Sequence, residues 1–314
     1  MQRQPPTWEK LGCLVRADGT IPWMHGFTGA GAMVVSAAES PRVDLYITGR
    51  DSQNRSMIGR ARLDLASASI LEIEPEPVLT PGSLGAFDEN GVSYPTLLRH
   101  GGDLYMFYTG WMPTVLTPFQ NHIGLAKLEA DGKFHRVSRA PVLPRTHEDY
   151  LSMGSSFATV EDGVWHLWYT SFLAWGGADS DAPKHRYEIK YAHSPDGRAW
   201  TRSGDQVCIG AEHPEEHSIC RPSVLKIEGR HHMWYCYRGT RYRIGYAVSQ
   251  DGIRWTRSDA AVGIAPSGDG WDSHEQGYPH VIRHGDWLYM VYCGNGFGRD
   301  GIGLARLPVA SLRA

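Results

Sequence analysis

The chain has 314 residues, 11% aromatic and 21% charged, with 31 basic against 34 acidic side chains and a net charge of -3. That balance gives no electrostatic footprint for nucleic acid or an anionic membrane surface, and no stretch approaches the roughly 18 apolar residues that span a bilayer. The five cysteines, Cys13, Cys208, Cys220, Cys236 and Cys293, are odd in number and lack metal-type spacing, which points to reduced thiols, no metal and no cofactor.

Met1–Thr7 carries no apolar run of a signal-peptide kind, so a soluble, cytoplasmic protein is expected. Trp8-Glu-Lys10 resembles two later strand starts, Trp200-Thr-Arg202 and Trp255-Thr-Arg257. A strand motif then recurs as Asp44–Gly49, Leu104–Gly110, Trp165–Ser171, His232–Tyr237 and Leu288–Gly294. Aligned on Ile47, Tyr108, Tyr169, Tyr235 and Tyr292, the copies lie 61, 61, 66 and 57 residues apart. A second marker follows each: Ile58-Gly-Arg-Ala61, Ile123-Gly-Leu-Ala126, Ile189-Lys-Tyr-Ala192, Ile244-Gly-Tyr-Ala247 and Ile302-Gly-Leu-Ala305. A period near 60 with several short strands per repeat predicts an all-β, five-bladed β-propeller of four-stranded antiparallel blades, one domain over 1–314.

The blades are expected at about 23–80, 88–144, 149–210, 216–266 and 272–307, with 8–15 completing the last blade and closing the ring. Inner strands start at Gly31, Tyr94, Ser155, Arg221 and Tyr278, and tight turns follow at Gly101-Gly102, Asp162-Gly163, Glu228-Gly229 and Gly285-Asp286. Ser194–Trp200 and Ser249–Trp255 read as structural turns built on Asp-Gly.

In an antiparallel hairpin the start of the first strand and the end of the second share one rim. Ionisable residues gather there: His25; Asp88 and Glu89; His147, Glu148 and Asp149; Glu215, Glu216, His217 and Arg221; Asp272, His274 and Glu275. The residues closing the second strands are Arg50, Trp111, Phe172, Arg238 and Asn295. Recurring acids on one rim predict a catalytic group of Glu216, Glu89, Asp149, Glu275 and His25, because converging carboxylates raise one another's pKa and supply a donor beside an ionised partner. Arg50, Trp111, Phe172, His217, Arg221, Arg238, His274 and Asn295 are the expected substrate contacts. The guanidinium groups suit a phosphate or carboxylate, and the aromatic groups suit stacking on a sugar. The segments 111–122 and 172–187 read as long rim loops, the second made flexible by Gly176-Gly177.

The Tyr-Pro-x-Val-Ile inner strands, Met-Trp-Tyr and Met-Phe-Tyr second strands and Ile-Gly-Tyr-Ala-x-Ser-x-Asp-Gly-Ile-x-Trp turn make the chain resemble the five-bladed glycosidase-like propellers. That superfamily includes glycoside hydrolase families 43, 32, 68, 62 and 130. The resemblance covers about residues 8–307 and implies an axial pocket with acids on three blades acting as base or nucleophile, tuning carboxylate and general acid. Trp23-Met24-His25-Gly26 falls where the fructosidase branch carries Trp-Met-Asn-Asp-Pro, so the nucleophilic aspartate is absent. The function expected is glycosidase-like chemistry on a sugar or sugar-derived small molecule, with Glu216 as donor and Glu89 or Asp149 as base. Non-hydrolytic proton transfer (cyclisation, elimination or isomerisation) and noncatalytic sugar binding are the alternatives.

Overall fold

In a computed structural model the described residues, 6–37, 39–176 and 184–312, form twenty β-strands, with helical structure confined to short 3-10 turns. The strands pair into three sheets, one of four strands and two of eight, each of the latter joining two antiparallel groups of four through a single parallel bridge, Ser56↔Gly91 or Tyr187↔Ser218. The first group holds β2 (Phe27–Val35), β3 (Arg42–Arg50), β4 (Ser56–Asp64) and β5 (Ser69–Ile73). Next come β6 (Gly91–His100), β7 (Asp103–Met112), β8 (Gln120–Leu128) and β9 (Phe134–Arg136). A third group comprises β10 (Met153–Glu161), β11 (Val164–Gly176), β12 (Lys184–Ser194) and β13 (Thr201–Ile209). The fourth has β14 (Ser218–Ile227), β15 (Arg230–Arg238), β16 (Tyr242–Ser249) and β17 (Thr256–Arg257). In the last, β18 (Gly277–His284), β19 (Trp287–Cys293) and β20 (Ile302–Pro308) are joined by β1 (Glu9–Val15) from the other end of the chain, in register Glu9↔Arg306 to Val15↔Ile302.

The leading strands touch in the cyclic order β2, β6, β10, β14, β18 and back to β2. The apolar core lies between neighbouring groups: Val34 and Tyr46 of the first pack with Val92, Met106 and Tyr108 of the second. Trp168 and Ile189 of the third pack with Met233 and Tyr235 of the fourth. Each such large side chain contributes about 1.5–3 kcal/mol by leaving water.

The hairpin turns fall where the sequence puts them, between His100↔Asp103, Glu161↔Val164, Ile227↔Arg230 and His284↔Trp287. Positive φ at both Gly101 and Gly102, Asp162 and Gly163, and Glu228 and Gly229 matches the right-handed twist of the strands they join. The segments read as long rim loops are strand at both ends, with 113–119 irregular in the first and 177–183 of the second outside the described residues. Trp111↔Asn121 and Met112↔Gln120 extend one hairpin, and Phe172↔Tyr187 through Gly176↔Lys184 extend the other. Of the expected flexible pair Gly176-Gly177, Gly177 lies outside the described residues.

One irregularity repeats in every group and positions the site. Each leading strand carries a bulge, at Ala30-Gly31, Tyr94-Pro95, Ser155-Ser156, Arg221-Pro222 and Tyr278-Pro279, opposite the single aligned residues Ile47, Tyr108, Tyr169, Tyr235 and Tyr292. The first bulge residues have φ of 44°, 52°, 40°, 57° and 54°, left-handed conformations that cost non-glycine residues about 1–3 kcal/mol each. A proline in the second position loses nothing there, because the bulge breaks the ladder anyway. Four of the five freed N–H groups are captured by the preceding group. Tyr94 donates to Thr48 Oγ1 (3.0 Å), Ser155 to Thr109 Oγ1 (2.8 Å) and Ala30 to Cys293 Sγ (3.0 Å), while Tyr278 bonds the Cys236 thiol. In those four places the Thr or Cys after the aligned residue is therefore an inter-group clasp, whereas Thr170 Oγ1 is buried with no hydrogen-bond partner.

Candidate active-site cavity

The bulge residues Ala30, Tyr94, Ser155 and Tyr278 line two adjoining cavity lobes of about 250 and 350 Å³. Phe27, Arg50, Tyr94, Phe119, Asn121, Tyr278 and Phe297 line both. Thr48 and Trp111 belong to the first; Phe172, His185, Tyr187, Cys220, Arg238 and Tyr242 to the second. The combined space is of the size that takes a small ligand, roughly 300–1,000 Å³.

Two guanidinium groups face this cavity, each held on aromatic faces. Arg50 lies 4.9 Å from the Phe27 ring and 5.8 Å from Trp111, with one hydrogen bond to Asn54 Oδ1 at 2.9 Å. Arg238 lies 5.2 Å from Phe297 and 5.4 Å from Tyr242. The Nε of each is buried without a hydrogen-bond acceptor, and neither forms an ion pair among the described residues. Arg221 is fully buried beneath the cavity, its guanidinium donating to the carbonyls of Tyr94 (3.0 Å), Gly31 (3.0 Å) and Pro95 (2.8 Å). Burial lowers its pKa to about 10, so it remains charged at neutral pH.

The histidine and tyrosines of the lining are neutral. Burial, with help from the charges of His217 and Arg238, lowers the His185 pKa to about 4; its ring stacks on Tyr187 at 4.7 Å. Burial likewise holds Tyr187, Tyr242 and Tyr278 well above the usual phenol range and moves Tyr94 to about 12. Tyr187 and Tyr242 share a hydroxyl–hydroxyl hydrogen bond of 2.6 Å.

The expected catalytic carboxylates are not brought together in this cavity, and none lines either lobe among the described residues. For Asp149 the cause is an arrangement that recurs in four of the groups. The hydroxyls of the aligned tyrosines find acceptors in the rim acids Asp88, Asp149 and Asp272 and in Asp259, just beyond β17. Tyr108 donates to Asp88 (3.0 Å), Tyr169 to Asp149 (2.8 Å), Tyr235 to Asp259 (2.6 Å) and Tyr292 to Asp272 (3.0 Å). A cation from the last strand of the same group completes each set: Arg136, Arg202, Arg257 and Lys10. The first group has Ile47 at this place, and the Trp23 indole fills the space instead, against Gly49 and Gly59.

Asp149, with Arg202 at 2.7 Å and Lys190 at 3.3 Å, is 2% exposed. Burial alone would raise its pKa, but hydrogen bonds from Ser171 and Tyr169 and the nearby cations outweigh it and hold the carboxyl below the usual range. Glu216 takes a bidentate pair from Arg257 at 2.8 and 2.9 Å, which overcomes burial in the same way. A carboxylate held ionised is a poor proton donor. Glu89 accepts from the Gly85 N–H at 2.6 Å in a turn, and buried Glu275 accepts from the backbone N–H groups of Tyr242 (3.3 Å) and Gly296 (3.1 Å), pinning two cavity segments from behind.

His25 and His274 are exposed and outside the lining. Asn295 clamps a turn, accepting from His274 and Glu275 N–H at 2.8 and 3.1 Å. His217 is half-buried at the rim, bonded to Gly239 O and Ser218 Oγ. Of the expected contacts, Arg50, Trp111, Phe172 and Arg238 do line the cavity.

Sequence reasoning missed His185, Tyr187, Tyr242, Asn121, Tyr94 and Tyr278. A signal existed for three: Asn121, Tyr187 and Tyr242 each stand two residues ahead of the Ile marker, at the start of a third strand that shares the same rim.

No family model matches the sequence. The protein Rv1502 of Mycobacterium tuberculosis (strain ATCC 25618 / H37Rv), itself uncharacterized, is 38% identical over 301 residues, 96% of this chain and 99% of that protein. One similar solved structure comes from glycoside hydrolase family 130, described as mannoside phosphorylases with glycoside hydrolases that target β-1,2 mannosidic linkages in Candida mannan. It superposes with a TM-score of 0.74 at 14% identity, over 98% of this chain and 95% of that one. A thermostable family 43 glycoside hydrolase gives 0.62 at 18% identity, over 94% and 91%. At these identities the structural likeness concerns the fold.

Proposed function

The chain belongs to one family with Rv1502 and to the glycosidase-like propeller superfamily, and from that premise we propose an enzyme that acts on an anionic sugar or sugar-derived small molecule in the axial cavity. In this reading the strands make a single five-bladed propeller, closed by β1 pairing with β20, and the bulges set the cavity floor.

The observation that carries the proposal is the pair Arg50 and Arg238, two cations without carboxylate partners among the described residues, in one aromatic-walled space. Desolvated guanidinium groups gain most from a phosphate or carboxylate, and the rings of Phe27, Trp111, Phe172 and Phe297 suit the apolar faces of a sugar. Titration calorimetry with free hexoses, uronates and hexose phosphates tests it. Anionic sugars should bind best, and Arg238→Met should weaken them by about tenfold or more, the worth of a charged hydrogen bond. Neutral hexoses binding as tightly as their phosphates would refute it.

The chemistry favoured is non-hydrolytic proton transfer. Glycosidic cleavage generally needs two carboxyl groups about 5–9.5 Å apart across the scissile bond, whereas this cavity offers a neutral imidazole and paired phenols. Solvent deuterium in an unhydrolysed product supports that reading; solvent oxygen in a released sugar supports hydrolysis.

A further inference from the structure

We infer that Thr170 is a specificity-determining residue of the cavity, its hydroxyl forming with Arg238 an oxyanion seat in the second lobe. This rests on the reading of the cavity as the site of an anionic sugar. The inference comes from one break in a repeated pattern. Thr48, Thr109, Thr170, Cys236 and Cys293 hold the same place, directly after the aligned residue of each group. Thr48 Oγ1, Thr109 Oγ1 and Cys293 Sγ take the N–H of the next bulge at 3.0, 2.8 and 3.0 Å, and Cys236 does the same for Tyr278. The bulge that follows Thr170 starts at Arg221 with the same left-handed backbone, φ of 57°, yet Thr170 Oγ1 is buried with no hydrogen-bond partner. Four of these side chains hold the groups together and the fifth has no structural task.

Thr170 lines the second lobe and is 2% exposed. A hydroxyl hidden from water is destabilising without a partner, and a ligand in the lobe supplies one. Arg238 borders the same lobe of about 350 Å³; its Nε is equally unpartnered, and its guanidinium forms no hydrogen bond or ion pair among the described residues. The faces of that group are turned to Phe297 and Tyr242, which leaves its N–H edge for a ligand. The first lobe differs, because its threonine and serine hydroxyls are committed: Thr48 to the Tyr94 N–H and Ser93 to the Thr109 carbonyl at 3.3 Å.

The Thr170 O–H and the Arg238 N–H groups both donate, so the ligand group that suits them offers lone pairs and negative charge, as a carboxylate or a phosphate does. A sugar hydroxyl accepts the same bonds without the charge and gains less. The substrate is thereby oriented, with its anion beside Thr170 and Arg238 in the second lobe and its ring toward Trp111 in the first.

Titration calorimetry of the full-length protein with glucuronate and glucose 6-phosphate tests this, the two probes separating a carboxylate from a phosphate as the preferred group. Thr170→Val removes only the hydroxyl and should weaken the better-bound anion by about tenfold or more, and Thr170→Ser should restore the affinity. Without ligand, Thr170→Val should melt within about 1 °C of wild type, whereas Thr109→Val, which frees the Ser155 N–H, should melt about 2–4 °C lower. A Thr170→Val protein that loses less than about tenfold overturns the role of Thr170 and leaves the functional reading standing, as does a serine variant that loses as much as the valine one. Melting as far below wild type as Thr109→Val also overturns it, because the hydroxyl is then structural. Wild type that binds neither probe refutes the functional reading and this inference with it.

Discussion

Replacing Asp149 with asparagine separates a structural acid from a catalytic one. The carboxylate is 2% exposed and holds Arg202 at 2.7 Å, Lys190 at 3.3 Å and the Tyr169 hydroxyl at 2.8 Å. Asparagine keeps an acceptor for the hydroxyls but leaves two nearly buried cations without their counter-charge, a loss of about 3–5 kcal/mol. With an unfolding entropy of about 2.1 cal/mol/K per residue over 314 residues, that corresponds to a fall in Tm of about 5–8 °C. Scanning calorimetry measures it. The pH dependence follows from the lowered pKa of Asp149. A carboxyl whose folded pKa is depressed stabilises the fold above its unfolded value of about 3.9 and stops doing so as pH falls through the folded value. The gap between wild type and Asp149→Asn should thus be full at neutral pH and close in the acid range below about pH 4. Affinity for the hexose phosphate that binds wild type best should stay within about twofold, since no bond from Asp149 reaches the cavity. An Asp149→Asn protein that melts with wild type yet loses ligand would refute this placement of the acid.

Three further outcomes are expected. Arg238→Met should lose anionic sugar binding with a Tm close to wild type, because the guanidinium has no ion pair to break among the described residues; calorimetry and a melting curve read both. Gly59→Ala should destabilise by about 1–3 kcal/mol, because its Cβ would sit 2.1 Å from the Trp23 ring, and denaturant titration measures the loss. Deleting residues 1–15 removes β1 and the Lys10–Asp272 contact of 2.7 Å, and exposes the edge of β20. That protein should unfold at lower temperature and self-associate, as light scattering would show.

Much of the fold was legible because its determinants are local. The Gly101-Gly102, Asp162-Gly163 and Glu228-Gly229 turns announce themselves through residues that tolerate positive φ, and the resulting two-residue loops fix each hairpin register. The aligned tyrosines were visible as a repeat. Their meaning was not, because the partner of Tyr169 lies 20 residues away and the arginine that joins them lies 53 residues from Asp149.

From sequence alone came the all-β class, the repeat, the turns and the rim on which polar residues collect, since alternation and turn chemistry act between near neighbours. Tertiary structure decided which of those rim residues face inward. Each bulge adds a residue to the leading strand and locally changes the direction of its side chains, while each buried tyrosine hydroxyl draws the nearest acid outward to satisfy it. Asp88, Asp149, Asp259 and Asp272 serve the tyrosines, Glu89, Glu216 and Glu275 are held by backbone N–H groups or an arginine, and among the described residues the cavity is left to Arg50, Arg238, His185 and the phenols.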